Sequence, residues 1–532
     1  MEGNYVVQTE YGKVRGVLHT SQLDVPYIQF LGIPYAAPPV GSMRFKPPQK
    51  PPSWGENVLD ANKEMSPCPA KNVFTQTFVG SDDCLYLNVF TKTLNPKKPQ
   101  AVMIFIHGGG HFSGSSSLDI YSPDYMLLSD VVVVTFNYRL GPFGFLSLKD
   151  KSLNVPGNAA LKDQQLAMKF VKDNIRNFGG DPNNCTLFGH SSGATSVSLH
   201  CLAESSCGLF DRAIIMSGSP FAQEAQFPDE NYPLKLAKML GFDGESEVEL
   251  LAFLNDADVL SVAEVQHSLV DSKGSKFAPM PFGPCIEPYE SDTSFMLKAP
   301  MDLLTSAWSN SIDIIIGATS DEGLHCRPEF EKSSNFKAII PNELKLAVDE
   351  QKLEEFAVRL KEFYLTLFPS EFEAYQKFNG DQFRWIALQR FIHARRSCNA
   401  SGRTFLYRFA VDSLTQNHYR NRWIGPGVKG VVHADDLCYL WKSNQGDVPS
   451  RDTIEFISIL RFTTLLTSFA ITGDPNSNVL DVDLGSVIWK PVSVAPYEGL
   501  NIDRTLEFSV LEESNRLKLL ESLYEEASVR LH

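Results

Sequence analysis

Gly189-His190-Ser191-Ser192-Gly193 follows the apolar run Thr186-Leu187-Phe188. A G-x-S-x-G pentapeptide after a buried strand fits a nucleophile elbow, a sharp strand-to-helix turn that stands the central hydroxyl on a strained corner. Glycines two residues either side are needed because a Cβ there would meet the neighbouring strand or helix. That symmetry separates the two adjacent serines. Only Ser191 lies midway, and Ser192 is the following residue, whose backbone N–H can serve an oxyanion. Such pentapeptides recur by chance in large proteins, so further signals are needed. Ala101-Val102-Met103-Ile104-Phe105-Ile106 reads as a second buried strand and ends in His107-Gly108-Gly109-Gly110. Side-chain-free backbone can approach a substrate and aim several N–H groups at one point. The three glycines of this loop therefore join Ser192 in offering backbone N–H groups to an oxyanion. About eighty residues separate loop and pentapeptide, and they hold a strand-like segment (Val131 to Phe136) and a helix-like one (Ala159 to Phe178).

A serine hydroxyl is a poor nucleophile at neutral pH and needs a base with an orienting acid. Where these follow an elbow, the chain order is serine, then carboxylate, then histidine. The strand-like run Ile312–Ile316 leads into Gly317-Ala318-Thr319-Ser320-Asp321-Glu322-Gly323, and spacing alone does not separate Asp321 from Glu322. Of the eleven histidines, only those after Glu322 qualify as the base. His325 is too close in sequence to reach round the acid, and His393 and His418 stand in helix-like or polar contexts. His433, in a loop of small residues after the strand-like run Phe405–Phe409, is favoured.

Short Val/Ile/Leu/Phe runs recur at Leu85–Phe90, Val102–Ile106, Val131–Phe136, Thr186–Phe188, Ala213–Met216, Ile312–Ile316 and Phe405–Phe409. Near-continuous apolar runs are the signature of strands buried on both faces. Between them, Leu161–Phe178 carries Leu166, Phe170, Val171 and Ile175 at helical spacing. The expected architecture is α/β: a large, mostly parallel, twisted central sheet with helices on both faces. Lys13–Leu18 and Tyr27–Ile33 read as an antiparallel hairpin at its edge. Helical stretches from about Glu343 to Leu367 and around Asp381 to Arg396 read as insertions over the active site.

The 532 residues show no linker, repeat or charge block, so a single domain over 1–532 is expected. A content of 43% hydrophobic and 11% aromatic residues suffices for one large core. The net charge of -15, without a basic stripe, argues against nucleic acid. No apolar run approaches the ~20 residues of a bilayer span, and Met1-Glu2-Gly3-Asn4-Tyr5 shows no positive n-region or apolar h-region of a secretory leader. A cytoplasmic protein is expected, with peripheral membrane or lipid association compatible. Nine cysteines without a C-x-x-C pair call for no metal and no cofactor. Cys68 and Cys84 could close a short loop, but in a reducing cytosol free thiols are expected. Asn184-Cys185-Thr186 and Asn399-Ala400-Ser401 match the glycosylation pattern and carry little weight without a leader.

The chain resembles the type-B carboxylesterase and cholinesterase family over nearly its whole length. The resemblance is carried by Phe30-Leu31-Gly32-Ile33-Pro34-Tyr35-Ala36, Ser81-Asp82-Asp83-Cys84-Leu85-Tyr86-Leu87-Asn88-Val89 and the His107–Gly110 loop. Asn137-Tyr138-Arg139-Leu140-Gly141, Phe178-Gly179-Gly180-Asp181-Pro182, the pentapeptide, Met216-Ser217-Gly218-Ser219 and His433-Ala434-Asp435-Asp436-Leu437 add to it. Pro281-Phe282-Gly283-Pro284, Glu287-Pro288-Tyr289 and Gly427-Val428-Lys429-Gly430 are similar to the insect α-esterases within that family.

The resemblance implies an α/β-hydrolase fold and a serine carboxylesterase acting on hydrophobic esters through an acyl-enzyme. It makes Ser191 the nucleophile, Glu322 the acid, because that residue directly precedes a glycine (Gly323), and His433 the base. It assigns the oxyanion to the N–H groups of Gly109, Gly110 and Ser192. Phe282, Leu324 and Cys326 are candidate lining residues of an apolar pocket. Small-molecule esters and organophosphates are the implied partners, the latter held by sequestration, in a monomer or homodimer. A catalytically silent binding or adhesion homologue is the alternative. His190 and Ser192 replace the family's usual elbow neighbours, at positions expected to act through backbone alone. Phe74 stands where cholinesterases carry a choline-binding tryptophan, and Pro220-Phe221-Ala222-Gln223-Glu224 lacks a further family tryptophan. Cys68 and Cys84 match the family's first disulfide.

Overall fold

The structure, a computed structural model, describes residues 5–72, 75–222, 231–271, 280–332, 334–398 and 400–531. Phe74, Gln223, Glu224 and Asn399 lie outside the described residues.

An eleven-stranded sheet organises the molecule. Across its middle run the strands Val131–Phe136, Gln100–Ile106, Gly180–His190, Arg212–Met216, Asp313–Thr319, Thr404–Phe409 and Glu498–Ile502, each parallel to the next. Antiparallel strands close both ends: Leu506–Val510 at one, and Tyr86–Thr91, Pro26–Pro34 and Val17–Thr20 at the other. The expected mostly parallel α/β sheet is therefore present.

Successive side chains in a strand point to opposite faces, and the core divides accordingly. Val102, Ile104 and Ile106 join one buried cluster with Val132, Val134, Ala213 and Ile215. Ala101, Met103 and Phe105 join the other with Val131, Val133, Ile214 and Met216. The helices Ala159–Asn174 and Ser192–Leu202 cover the first face through Leu161, Met168, Phe170, Val197 and Leu199. The helix Ile454–Thr472 covers the second through Ile459, Phe462, Leu466 and Phe469. Helices thus lie on both faces, as expected.

Three readings are corrected. Ile454–Thr472, at 19 residues, is long and apolar enough to cross a membrane, which the sequence reading missed because Ser, Thr and Arg461 interrupt it; 67% of that stretch is buried against the sheet. The edge hairpin is Val17–Thr20 with Pro26–Pro34, whereas Gly12–Arg15 belongs to a separate three-stranded sheet with Val6–Thr9 and Gly55–Asp60. Cys68 and Cys84 are joined in a disulfide, against the free thiols expected of a cytosolic chain.

The insertions form, with breaks. Asn342–Ala347 and Glu350–Leu367 are distinct helices because the Asp349 side chain caps the second at Lys352 N. Glu371–Gly380 continues into a π turn, Asp381–Trp385, and then into Ile386–Ser397. Gly380 packs on Gly323, next to Glu322: a Cβ on Gly380 would lie 2.9 Å from the Gly323 nitrogen. The insertion is thereby locked onto the strand ends.

Candidate active site

Ser191 ends the strand Gly180–His190 and caps the helix Ser192–Leu202 at φ 57°, ψ −126°, a conformation that non-glycine residues rarely hold. The surroundings enforce it. Ser191 N donates to Met216 O at 2.8 Å, and Ser191 O accepts from Thr195 N at 2.9 Å as the helix begins. A Cβ on Gly189 would lie 2.7 Å from the Gly193 carbonyl, and one on Gly193 would strike the Ile106 carbonyl. Both glycines are thus required for the close approach inferred from the pentapeptide.

His433 Nε2 lies 2.9 Å from Ser191 Oγ, and His433 Nδ1 lies 2.6 Å from Glu322 Oε2. The other carboxylate oxygen, Oε1, accepts from Ser217 Oγ at 2.5 Å and Thr319 N at 3.0 Å. Burial alone would raise the Glu322 carboxyl. The charge and hydrogen bond of His433, then Arg384 and Ser217, outweigh it and hold the group at about 2. Glu322 is an anion at every ordinary pH, so it fixes one imidazole orientation and favours the imidazolium when a proton arrives.

Asp321, left open by spacing, turns the other way. Its Oδ1 accepts from Gln376 Nε2 at 2.9 Å and pairs with Lys377 Nζ at 2.9 Å. Its Oδ2 accepts from Val431 N at 3.1 Å, and its own N–H donates to Val431 O at 3.0 Å. Asp321 therefore ties down the loop that presents His433. Arg420 holds that loop from the far side, donating from Nη1 to Gly430 O at 2.8 Å and from its backbone N–H to Asp435 Oδ1 at 3.1 Å.

The glycine loop lies against the elbow. A Cβ on Gly108 would sit 3.1 Å from Ser191 Cβ and 2.7 Å from His190 O. Gly109 and Gly110 have φ +130° and +63°, and Gly109 O is turned back into the loop to accept from Ser113 N at 2.9 Å. Burial brings His107 down to about 4, so its ring is neutral, lies 2.9 Å from Gly108 O through Nδ1 and stacks on Tyr138. Ser192 supplies the first N–H of a helix whose positive dipole end faces the Ser191 corner. The glycine loop and the start of this helix thus both lie beside Ser191.

Phe282, Leu324 and Cys326 are almost wholly buried. Phe282 packs beside Tyr232, and Leu324 and Cys326 share the short turn Glu322–Cys326 with the acid, Leu324 facing Gly430. Three participants had no signal in the sequence reading. Ser217 binds the acid. Arg384 Nη2 reaches 3.4 Å from Ser191 Oγ. His190, expected to act through backbone alone, sets its ring 4.6 Å from that of His433 and its Nε2 3.8 Å from Asp436 Oδ1. Burial, then the neighbouring His433, holds His190 well below its usual range, while burial and Glu322 lift Asp436 to about 7. His190 is thus held neutral beside a carboxyl displaced toward its protonated form. Asp436 lies 246 residues beyond His190, and chain spacing across such a distance carries no signal.

Known proteins are similar to this chain over most of its length. The model of the carboxylesterase family matches residues 3–520. Esterase B1 of Culex pipiens is 38% identical over 535 residues, covering 97% of this chain and 98% of that protein. Juvenile hormone esterase of Tribolium castaneum is 31% identical, covering 93% of this chain and 87% of that protein. The crystal structure of juvenile hormone esterase from Manduca sexta, with OTFP covalently attached, superposes with a TM-score of 0.85 at 27% identity, covering 98% of this chain and 100% of that one. With the α/β-hydrolase fold and the serine site in place, this chain belongs to the carboxylesterase family.

Proposed function

We propose that this carboxylic ester hydrolase cleaves hydrophobic carboxylic esters through an acyl-enzyme on Ser191, with His433 as base and Glu322 as orienting acid. The observation that carries the reading is the unbroken hydrogen-bond chain from Ser191 Oγ through His433 to Glu322, at 2.9 and 2.6 Å. His433 Nε2 takes the Ser191 proton as Oγ bonds to the ester carbonyl carbon. The oxyanion falls to the N–H groups of Gly109, Gly110 and Ser192, each worth roughly 10²–10³ in rate. His433 then gives its proton to the departing alcohol as the carbon–oxygen bond breaks, and next activates water to release the acid and restore Ser191. An organophosphate would phosphorylate the same Ser191 Oγ. Gly110, without a side chain to activate water there, supports slow release and hence sequestration. A silent binding homologue is disfavoured by the intact chain of three residues.

The test is turnover of a p-nitrophenyl ester series from acetate to octanoate beside Ser191→Ala. The parent is expected to hydrolyse the series with an optimum that sizes the acyl side, and the variant to lose at least about 10⁴-fold in kcat. No turnover and no labelling of Ser191 by a fluorophosphonate would return the chain to the binding-homologue reading.

A further inference from the structure

Arg384 is a cation placed at the nucleophile. Its side chain is 2% exposed, with Nη2 3.4 Å from Ser191 Oγ. Its position is fixed from several directions. It is carried by the π turn Asp381–Trp385, and such extra-residue turns recur at functional sites because they re-aim a side chain. Asp381 anchors that turn, accepting from Arg516 Nε and Nη2 at 2.7 and 3.0 Å and from Tyr364 Oη at 2.7 Å. The Arg384 guanidinium lies 3.9 Å over the Phe383 ring, which in turn packs against His325 and, at 6.2 Å, His433. Arg384 also belongs to the charge balance of the site, since it helps hold Glu322 ionised. A bare methylene chain gains little from such a neighbour, whereas a carboxylate gains a charge-assisted contact.

Three flanks of the reacting carbon are already committed. The leaving alcohol must face His433, which protonates it, the oxyanion must face the glycine loop, and Oγ itself attacks. The π turn brings Arg384 to Ser191 from a further element, and the acyl chain is the part of the substrate left to face it. Resting on the reading of Ser191 as nucleophile, we infer that Arg384 is the specificity-determining residue of the acyl side and selects acyl chains that end in a carboxylate. The favoured substrates among such esters are then half-esters of short dicarboxylic acids, with the hydrophobic part on the alcohol. A contact of about 2.8 Å to Nη2 keeps the carboxylate oxygen within about 6 Å of Oγ, the reach of an acyl chain with two or three methylenes.

The test compares ethyl hydrogen succinate with ethyl succinamate, which match in length and shape and differ in charge, by pH-stat at low ionic strength. The parent is expected to favour the charged ester by about tenfold or more in kcat/KM. Arg384→Gln is expected to bring that ratio below about twofold, and Arg384→Lys, which keeps the charge without the fork, to leave an intermediate preference. Fluorophosphonate labelling of Ser191 in each variant reports an assembled site. An equal fall on both esters in Arg384→Gln would overturn the inference and give the guanidinium to the transition state at large. So would a parent that hydrolyses both esters without preference, while leaving the esterase reading intact. A parent that neither hydrolyses the two esters nor labels overturns both. Should Arg384→Gln fail to fold, Arg384→Lys decides: an unchanged preference overturns the assignment.

Discussion

Glu322 is held at both oxygens, by His433 on one and by Ser217 and Thr319 on the other. Its folded pKa is depressed to about 2 from an ordinary 4.5. A depressed carboxylate contributes stability that is present above the unfolded value and lost as pH falls through the folded one. Orientation of His433 by Glu322 is therefore constant across the working range, and no titration of Glu322 is expected in kcat/KM between pH 4 and 9. Glu322→Gln keeps the shape and removes the charge that stabilises the imidazolium. It is expected to lower kcat by about 10²–10⁴-fold with KM within about threefold, measured on p-nitrophenyl butyrate. Ser217→Ala removes one hydrogen bond to an anion and is expected to cost about tenfold. A loss under tenfold in Glu322→Gln would pass the orienting role to another group. Ser191 and His433 were legible in the sequence because an elbow and chain order restrict them sharply. Glu322 against Asp321 was not, because adjacent residues leaving a strand diverge by the local turn, which spacing does not encode. Arg384 was invisible for a similar reason: the extra residue of a π turn rotates a side chain without altering the helical pattern around it.

At the scale of elements, the candidate active site is a junction of strand ends, and the loop carrying His433 is secured by Asp321, which does not touch Ser191 or His433. Asp321 binds Val431 through both backbone groups and pairs with Lys377 from the inserted helix Glu371–Gly380. Its carboxyl is held below the usual range, since Lys377 and Ser320 outweigh the effect of burial. Asp321→Ala leaves Val431 N and Lys377 without that acceptor and frees the loop by fractions of an ångström, enough to spoil a 2.9 Å approach. The expected result is a fall of about 10- to 100-fold in kcat/KM and about 2 kcal/mol less stability, reduced from a fully buried pair by its partial exposure. Asp321→Asn, which can still accept from Val431 N, is expected to recover most of the rate and less of the stability. Equal rates in Asp321→Ala and the parent would show that Arg420 alone suffices to hold the loop. The strands of this junction were read correctly in place and order because both their faces are apolar. Glu498–Ile502 escaped notice because Glu498, Gly499 and Asn501 interrupt its apolar run, and Leu506–Val510 because exposed positions at the sheet edge dilute that signal.

For the molecule as a whole, an apolar sheet buried on both faces made the architecture legible, whereas long-range covalent pairing depends on the surroundings of the chain as much as on its order. Cys68 and Cys84 enclose a small antiparallel pair, Ala70–Lys71 with Phe78–Val79, and their bond joins residues 16 apart. The segment is also pinned where Asp82 meets Arg44 at 2.9 Å and Ser81 N donates to Pro67 O at 3.0 Å. A closed loop of this length stabilises by about 3 kcal/mol, chiefly by restricting the unfolded chain. The remaining seven cysteines form no disulfide among the described residues, and of these Cys207 alone is exposed. Thiol titration of denatured, never-reduced protein is accordingly expected to count seven groups, rising to nine after reduction. Cys84→Ser is expected to count eight without reduction and to lower Tm by about 3 °C relative to the oxidised parent. Nine thiols in the freshly isolated protein would return the pair to the free state expected of a reducing cytosol. In that state Cys84→Ser has no covalent link to remove, and its Tm should match the parent's. The count therefore reports the compartment in which the chain folds as well as the bond itself, because a buried pair so close in space is oxidised wherever the surroundings permit.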